Sequence, residues 1–432
     1  MKIINHRQDA HVFTNHFVSS FTFSKRVVLL VWLAVFSLPN LVMAQAGNLD
    51  PTFGTNGIVT TANTVASAAA LQSDGKIVVA GSIANSQNVQ QGGLLRYTSN
   101  GVLDSSFGTG GKVLLAVGTS DANAAFAAAI QTDGKILAAA PVSARLTVFR
   151  FDTNGSVDTS FGTNGSETIL AAGLLFSPVS GGMALQSDGK IVVVTGDIVT
   201  HLLANGQVDS NFGSGGLAPT VGGSDSVAIL SNGQILIGSG NVASLYSANG
   251  SLVTRFGVNG QTAGFPFNGI GGFAVTTDTT TNHIKIVTAG SLITSPNLTF
   301  AQNTSGFLLV RYTSNGMIDN SFGTHGGVAT PFPGNLFSQA FAVAAQSNGD
   351  IVAVGQTALT DVNAIPGPSN FGLARYLPNG QIDTTFGNGG FVSTSFGSSE
   401  AFANTVLIQT DGKIVAAGNS NSGTTVARYL GN

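Results

Sequence analysis

The sequence predicts an all-β fold: a seven-bladed β-propeller of four-stranded antiparallel blades. Three observations carry this reading. A Leu-Asp-x-x-Phe-Gly unit recurs seven times, hairpin signals of the Asp-Gly or Asn-Gly type fall between β-prone runs, and 57 of 432 residues are glycine. Four strands per unit and seven units are the arithmetic of a ring that buries its sheet edges radially. A parallel β-helix, the rival repeat fold, has shorter rungs and needs no tight antiparallel hairpins.

The first unit is Leu49-Asp50-Pro51-Thr52-Phe53-Gly54, and it returns at 103–108, 157–162, 208–213, 252–257, 318–323 and 382–387. Self-similarity at this period marks a repeat architecture. A second piece, Gln72-Ser73-Asp74-Gly75-Lys76-Ile77-Val78, recurs at 131–137, 186–192 and 409–415, more loosely at 229–237 and 345–353, and is stretched in the fifth unit. A third, Leu95-Arg96-Tyr97 followed by Asn100-Gly101, is echoed at each later copy up to Arg428-Tyr429. Each unit therefore reads as an Ala-rich first strand beside the axis, a second starting at Lys-Ile, a third carrying Arg-Tyr and a fourth carrying Leu-Asp-x-x-Phe-Gly.

Comparison among the copies sets the register. Arg96 goes with Asp104, Arg150 with Asp158, Arg311 with Asp319, Arg375 with Asp383 and His201 with Asp209, whereas in the fourth unit both positions become apolar, Leu245 and Val253. A three-residue loop ending in a left-handed glycine sets Arg96 opposite Asp104; a two-residue loop would set Tyr97 there. Arg428 has no following Asp and Asp50 no preceding Arg, so Leu49 to Gly54 is expected to supply the outer strand of the last blade, pairing Arg428 with Asp50. The two chain ends then close the ring.

The N-terminus reads as a leader. Lys25 and Arg26 precede an uncharged run from Val27 to Leu38, then Pro39, Asn40 and small residues at Val42 and Ala44. This is the order of a secretory signal peptide, with cleavage expected after Ala44; Pro39 and Asn40 interrupt what would otherwise be a marginal membrane span. Residues 1–44 are thus signal peptide with a polar extension, 45–432 the propeller, and the destination is the periplasm, the cell surface or the medium. The leader takes four cations and one acid, moving the formal charge of the remaining body from −3 to −6. An acidic body with few unassigned cations does not suit nucleic acid. Cysteine is absent, so thiol chemistry and disulfides play no part.

Most ionisable groups are accounted for by the repeat. All five tyrosines share one repeat position. His325 stands where other copies have Asn56, Gly110, Asn164, Gly215, Asn259 and Gly389, all tolerant of the left-handed region, and so reads as a turn residue. His201 with Asp209 could pass for part of a catalytic triad, but it occupies the Arg/Asp register. The stretch from Asp152 to Asp158 suggests a calcium loop, yet other copies put Thr98, Leu203, Ser247, Thr313 and Leu377 at the Asp152 position. No cofactor and no metal are called.

Loops on a rigid scaffold are where binding usually resides. The rim opposite the tight turns carries the irregular segments 82–92, 291–306 and 357–370 and the blade connections 261–272 and 330–336, with Phe265, Phe267, Phe332 and Phe337 as candidate contact residues. The chain is read as an exported, monomeric binding or scaffold module for a protein or small ligand of the cell envelope. A propeller hydrolase or lyase working in the central channel is an alternative, disfavoured by a body with only Glu167 and Glu400 as glutamates and no Trp; a structural surface protein without ligand is another.

The three motifs in fixed order, for instance 409–415 with Ala427-Arg428-Tyr429, resemble the delta-60 repeat family of bacterial exported proteins over essentially all of 49–429. The resemblance implies a β-propeller and brings no activity or catalytic residues. A weaker likeness to NHL-type propellers rests on the Asp-Gly hairpin and the terminal Phe-Gly.

Overall fold

The computed structural model describes residues 45–85, 87–115, 124–143, 145–169, 181–264, 267–277, 283–292, 306–334, 337–358, 368–397 and 400–431. All regular elements in them are strands, arranged as seven antiparallel blades in a ring. β1 (Ile58–Thr61) belongs to the last blade. Blade 1 is β2 (Thr64–Leu71), β3 (Ile77–Ala84), β4 (Gln90–Tyr97) and β5 (Lys112–Leu114); blade 2 is β6 (Ala127–Ile130), β7 (Ile136–Val142), β8 (Arg145–Phe151) and β9 (Ser166–Thr168). Blades 3 and 4 run together through β10 (Gly182–Leu185), β11 (Ile191–Leu202), β12 (Leu217–Ile229), β13 (Ile235–Ser239) and β14 (Val242–Tyr246). There β11 pairs with β10 through 191–194 and with β12 through 198–200, while β12 continues into the inner strand of blade 4. Blade 5 is β15 (Phe267–Thr277), β16 (Ile284–Leu292), β17 (Phe307–Thr313) and β18 (Gly327–Thr330); blade 6 is β19 (Phe337–Ala345), β20 (Ile351–Ala358), β21 (Ser369–Tyr376) and β22 (Phe391–Thr394). β23 (Ala401–Ile408), β24 (Ile414–Ser420) and β25 (Gly423–Tyr429) complete blade 7 with β1.

The second strands explain the uninterrupted apolar runs. Val78 and Ala80 pack toward blade 2, whereas Ile77 and Val79 pack toward blade 7, so successive side chains of one strand enter two different cores. Among the described residues the core divides into seven clusters, one at each blade interface. The ring thus buries its apolar surface sheet by sheet, which lets a long chain avoid one oversized core.

The loop registers follow from the glycines. Thr98 N–H donates to Val102 O at 2.8 Å and Gly101 N–H to Thr98 O at 2.9 Å, which leaves Ser99-Asn100-Gly101 as a three-residue loop with Gly101 at φ +82°. Arg96 therefore faces Asp104. His325 has φ +54°, matching Asn56, Asn164 and Asn259 at +52° to +54°, and serves as a turn residue.

The fourth strand lies elsewhere than the motif suggests. Leu49 makes only one isolated bridge, to Tyr429, and the strand that pairs with β25 is β1, with Ile58 opposite Ala427 and Thr61 opposite Thr424. The reason is a side-chain cap. The Asp50 carboxylate accepts the Thr52 N–H at 3.0 Å and the Thr52 hydroxyl at 2.7 Å, coiling the chain into a turn before Phe53. The N-terminal segment closes the ring, but its ladder with β25 is formed by residues beyond Gly54. The closing loop itself is split between the termini: Gly47 N–H donates to Leu430 O at 2.8 Å and Leu430 N–H to Asn48 O at 2.9 Å, reproducing the Thr98–Val102 loop without a covalent link.

Candidate functional site

The tight-turn rim is built from the repeated charges. In blade 1, Arg96 Nε donates to Asp104 Oδ2 at 2.9 Å and Lys76 Nζ stands 3.6 Å from the same oxygen. Equivalent Arg–Asp pairs are Arg150–Asp158 at 2.6 Å, Arg311–Asp319 at 2.8 Å, Arg375–Asp383 at 2.6 Å and Arg428–Asp50 at 2.9 Å. Lysine joins at Asp158, Asp209, Asp319 and Asp50 through Lys135, Lys190, Lys285 and Lys413.

Two further contacts complete this network. Each guanidinium lies over the Phe of its own repeat, 4.5 Å above Phe107 for Arg96 and 4.7 Å above Phe53 for Arg428. Each also donates to a backbone carbonyl of the next blade: Arg96 to Thr153, Arg150 to Ala204, Arg311 to Pro378, Arg375 to Gly431 and Arg428 to Ser99. Beside them the Phe-Gly amide crosses the same seam, as in Gly54 N–H to Asn100 O at 2.7 Å and Gly108 N–H to Asn154 O at 2.8 Å. The arginines are clamps between blades.

His201 fills the clamp position of blade 3. Its Nδ1 is 3.1 Å from Asp209 Oδ2, its Nε2 is 2.6 Å from Gln186 Oε1, and its ring stacks on Phe212 at 4.6 Å. Burial holds its pKa below the ordinary value against the pull of Asp209. Both ring nitrogens are taken up within the blade, so the imidazole has the place of an arginine and not that of a general base beside a nucleophile. In the suggested calcium stretch, Asp158 is taken by Lys135 and Arg150, and Asp152 faces Lys135 at 3.8 Å.

The buried carboxylates set an acid limit. Burial raises the Asp50 pKa, but the Thr52 hydroxyl and amide, the Arg428 guanidinium and Lys413 outweigh it and hold the group at about 2. Asp104, Asp158, Asp209, Asp319 and Asp383 are lowered for the same kinds of reason. A carboxylate with a depressed folded pKa stabilises the fold above its unfolded value, and that contribution is lost as pH falls through the folded value. Denaturant midpoints should therefore be insensitive to these groups above about pH 5 and fall steeply between about pH 4 and 2; midpoints unchanged down to pH 2.5 would contradict the network's contribution.

The opposite rim is uneven. The second and third strands are joined by residues 143–144 in blade 2, 240–241 in blade 4 and 421–422 in blade 7, but by 293–306 in blade 5 and 359–368 in blade 6. Of the four candidate aromatics, Phe265 and the Phe267 side chain lie outside the described residues, and Phe337 is half-buried at the start of β19. Phe332 is only 3% exposed, its ring 4.8 Å from Phe307 and 5.1 Å from Phe391. It packs between blades 5 and 6.

The central channel holds a cavity of about 660 Å³ walled by the inner strands of all seven blades. Its described lining is Ala, Gly, Val, Ile, Met and Phe with a few Ser, Thr and Asn, and no ionisable side chain is among it. A second cavity, of about 780 Å³, lies on the tight-turn rim at the inner-strand ends of blades 7, 1 and 2, where Lys413 and Arg428 are already held by Asp50.

Comparisons with known proteins agree with this architecture. A family model described as "Domain of unknown function (DUF5122) beta-propeller" matches residues 72–107, 131–161, 285–322 and 346–386, which supports β-propeller repeats. No sequence among curated proteins matches it. A selenomethionine-substituted virginiamycin B lyase from Staphylococcus aureus superposes with a TM-score of 0.52 at 11% identity, covering 86% of this chain and 98% of that one. A catalytically inactive variant of that lyase with quinupristin gives 0.51 at 10% identity over the same shares. The PQQ-bound aldose sugar dehydrogenase from Streptomyces coelicolor gives 0.42 at 11% identity, covering 69% of this chain and 91% of that chain. For the two lyase structures, at these identities, the likeness is one of fold.

Proposed function

We propose that the chain is an exported β-propeller of the delta-60 kind that holds a protein or small ligand of the cell envelope on its variable-loop rim. One observation carries the reading: the two long connections, 293–306 and 359–368, belong to neighbouring blades, while those of blades 2, 4 and 7 are two residues long. A rigid ring that lengthens its loops on one arc of one rim has the form of a scaffold presenting a binding surface. The charge network supports it, because the arginines and aspartates of the other rim hold neighbouring blades together.

Export fits the use of the chain by the fold. Gln45, the residue after the expected cleavage point, already contributes to closure, its Nε2 donating to Gly387 O at 2.8 Å.

The test is capture from cell-envelope material by the mature protein and by a variant with 293–305 and 359–367 replaced by short Gly-Ser turns. Capture by the parent and its loss in a variant that still melts cooperatively is the expected result. Equal capture by both would place binding elsewhere, and no specific capture by either would leave the ring a structural surface protein.

A further inference from the structure

The inner strands share an irregularity that shapes the channel. Pairing with the second strand shifts by one residue between Ala66 and Ala68, Ser224 and Ser226, Ile270 and Gly272, Ala340 and Ala342, and Ala403 and Thr405. Such a bulge leaves one residue out of the ladder and re-aims it. The residues left out are Ser67, Asp225, Gly271, Phe341 and Asn404, and the Asp225 side chain lies outside the described residues. In blade 2, Phe126 takes this place, its N–H donating to the Ala139 carbonyl at 2.9 Å while Ala127 pairs with the same residue.

The second strand admits the bulge through glycine. A Cβ on Gly81 would stand 1.8 Å from Val65 O, on Gly355 1.9 Å from Gln339 O and on Gly418 2.0 Å from Phe402 O. Gly81, Gly355 and Gly418 are thus required by the backbone that bulges at Ser67, Phe341 and Asn404.

The resulting wall is two-sided. Phe273, Phe341 and Phe402 line it from blades 5, 6 and 7, the last two rings meeting edge to face at 6.0 Å. Blades 1 to 3, across the ring, contribute Ala68, Ala69, Ala127, Ala128 and Gly182, with the nearly buried Phe126 lying over Gly181. At about 660 Å³ the cavity falls in the range of small-molecule sites. Aromatic rings offer face and edge contacts to another ring. We propose that the channel is a second binding site, separate from the loop rim, for an aromatic small molecule held against Phe341 and Phe402.

The probe is N-phenyl-1-naphthylamine, a neutral dye that brightens in apolar surroundings, titrated into the mature chain. Saturable 1:1 binding is expected. Ser67→Phe, which fills the channel from blade 1, should weaken it at least tenfold. Phe341→Leu, which keeps most of the volume but removes the ring, should weaken it about threefold to tenfold and serves if Ser67→Phe fails to fold. The loop-trimmed variant should bind the dye as the parent does, so failure of the rim reading and failure of this one are distinguishable. Absence of saturable binding, undiminished binding in a folded Ser67→Phe or Phe341→Leu protein, or loss on loop trimming would overturn the proposal.

Discussion

Arg428→Ala is expected to destabilise the folded protein by about 3–5 kcal/mol, the cost of removing one partner from a buried ion pair. The pair closes the ring. Arg428 Nε donates to Asp50 Oδ2 at 2.9 Å, and Asp50 is only 2% exposed, so the substitution leaves a buried carboxylate with Lys413 as its remaining cation. It also strips the guanidinium from the face of Phe53 and its bond from the Ser99 carbonyl of blade 1. Arg96→Ala removes the same three kinds of contact from a blade whose third strand is covalently linked to the turn bearing its Asp. The closing blade has no such link. Urea denaturation should therefore show a larger midpoint loss for Arg428→Ala than for Arg96→Ala, and Arg428→Lys should recover only part of it, because an ammonium cannot reproduce the planar fork. An Arg428→Ala midpoint equal to that of the parent would mean that the termini contribute little to closure.

Phe322→Ala is expected to cost about 3–5 kcal/mol, the range for deleting a buried phenyl group. Phe322 is fully buried in the core between blades 5 and 6 and carries the Arg311 guanidinium on its face at 4.7 Å. The loop of the next blade rests on it: a Cβ on Gly380 would come within 3.0 Å of its ring. The substitution therefore opens a cavity under a clamp as well as within a core. Phe322→Leu should lose clearly less, since it retains most of the volume. Equal losses for the two variants, read from the same denaturation curves, would show that the ring face matters more than filled volume.

Internal repetition made much of this architecture legible. Loss of Arg and Asp together at Leu245 and Val253 identified the three-residue register, and the Asn or Gly equivalents of His325 identified a left-handed turn position. The fourth strand was misplaced because Leu-Asp-x-x-Phe-Gly alternates like a strand. The clue to its true form was the pair of glycines three apart, Gly54 and Gly57, both at positive φ and flanking Asn56. Contacts from arginine to the next blade left no trace in the sequence, since their acceptors are backbone carbonyls that any residue supplies. At the candidate site, aromatic composition pointed to Phe332, but its burial depends on Phe307 and Phe391 from two different blades. The channel was read only as a place, because the bulges that turn Phe341 and Asn404 toward it depend on pairing with Gly355 and Gly418.

The proposed division of labour is that one rim clamps the ring and the other binds. Its most direct test is the affinity of the captured envelope component for three proteins side by side: the parent, the variant trimmed at 293–305 and 359–367, and Arg96→Ala. Binding should fall at least tenfold on trimming, with the denaturation midpoint of the parent retained, while Arg96→Ala should bind as the parent does at a lowered midpoint. Retained affinity in the trimmed protein, or loss of affinity in a folded Arg96→Ala, would contradict it.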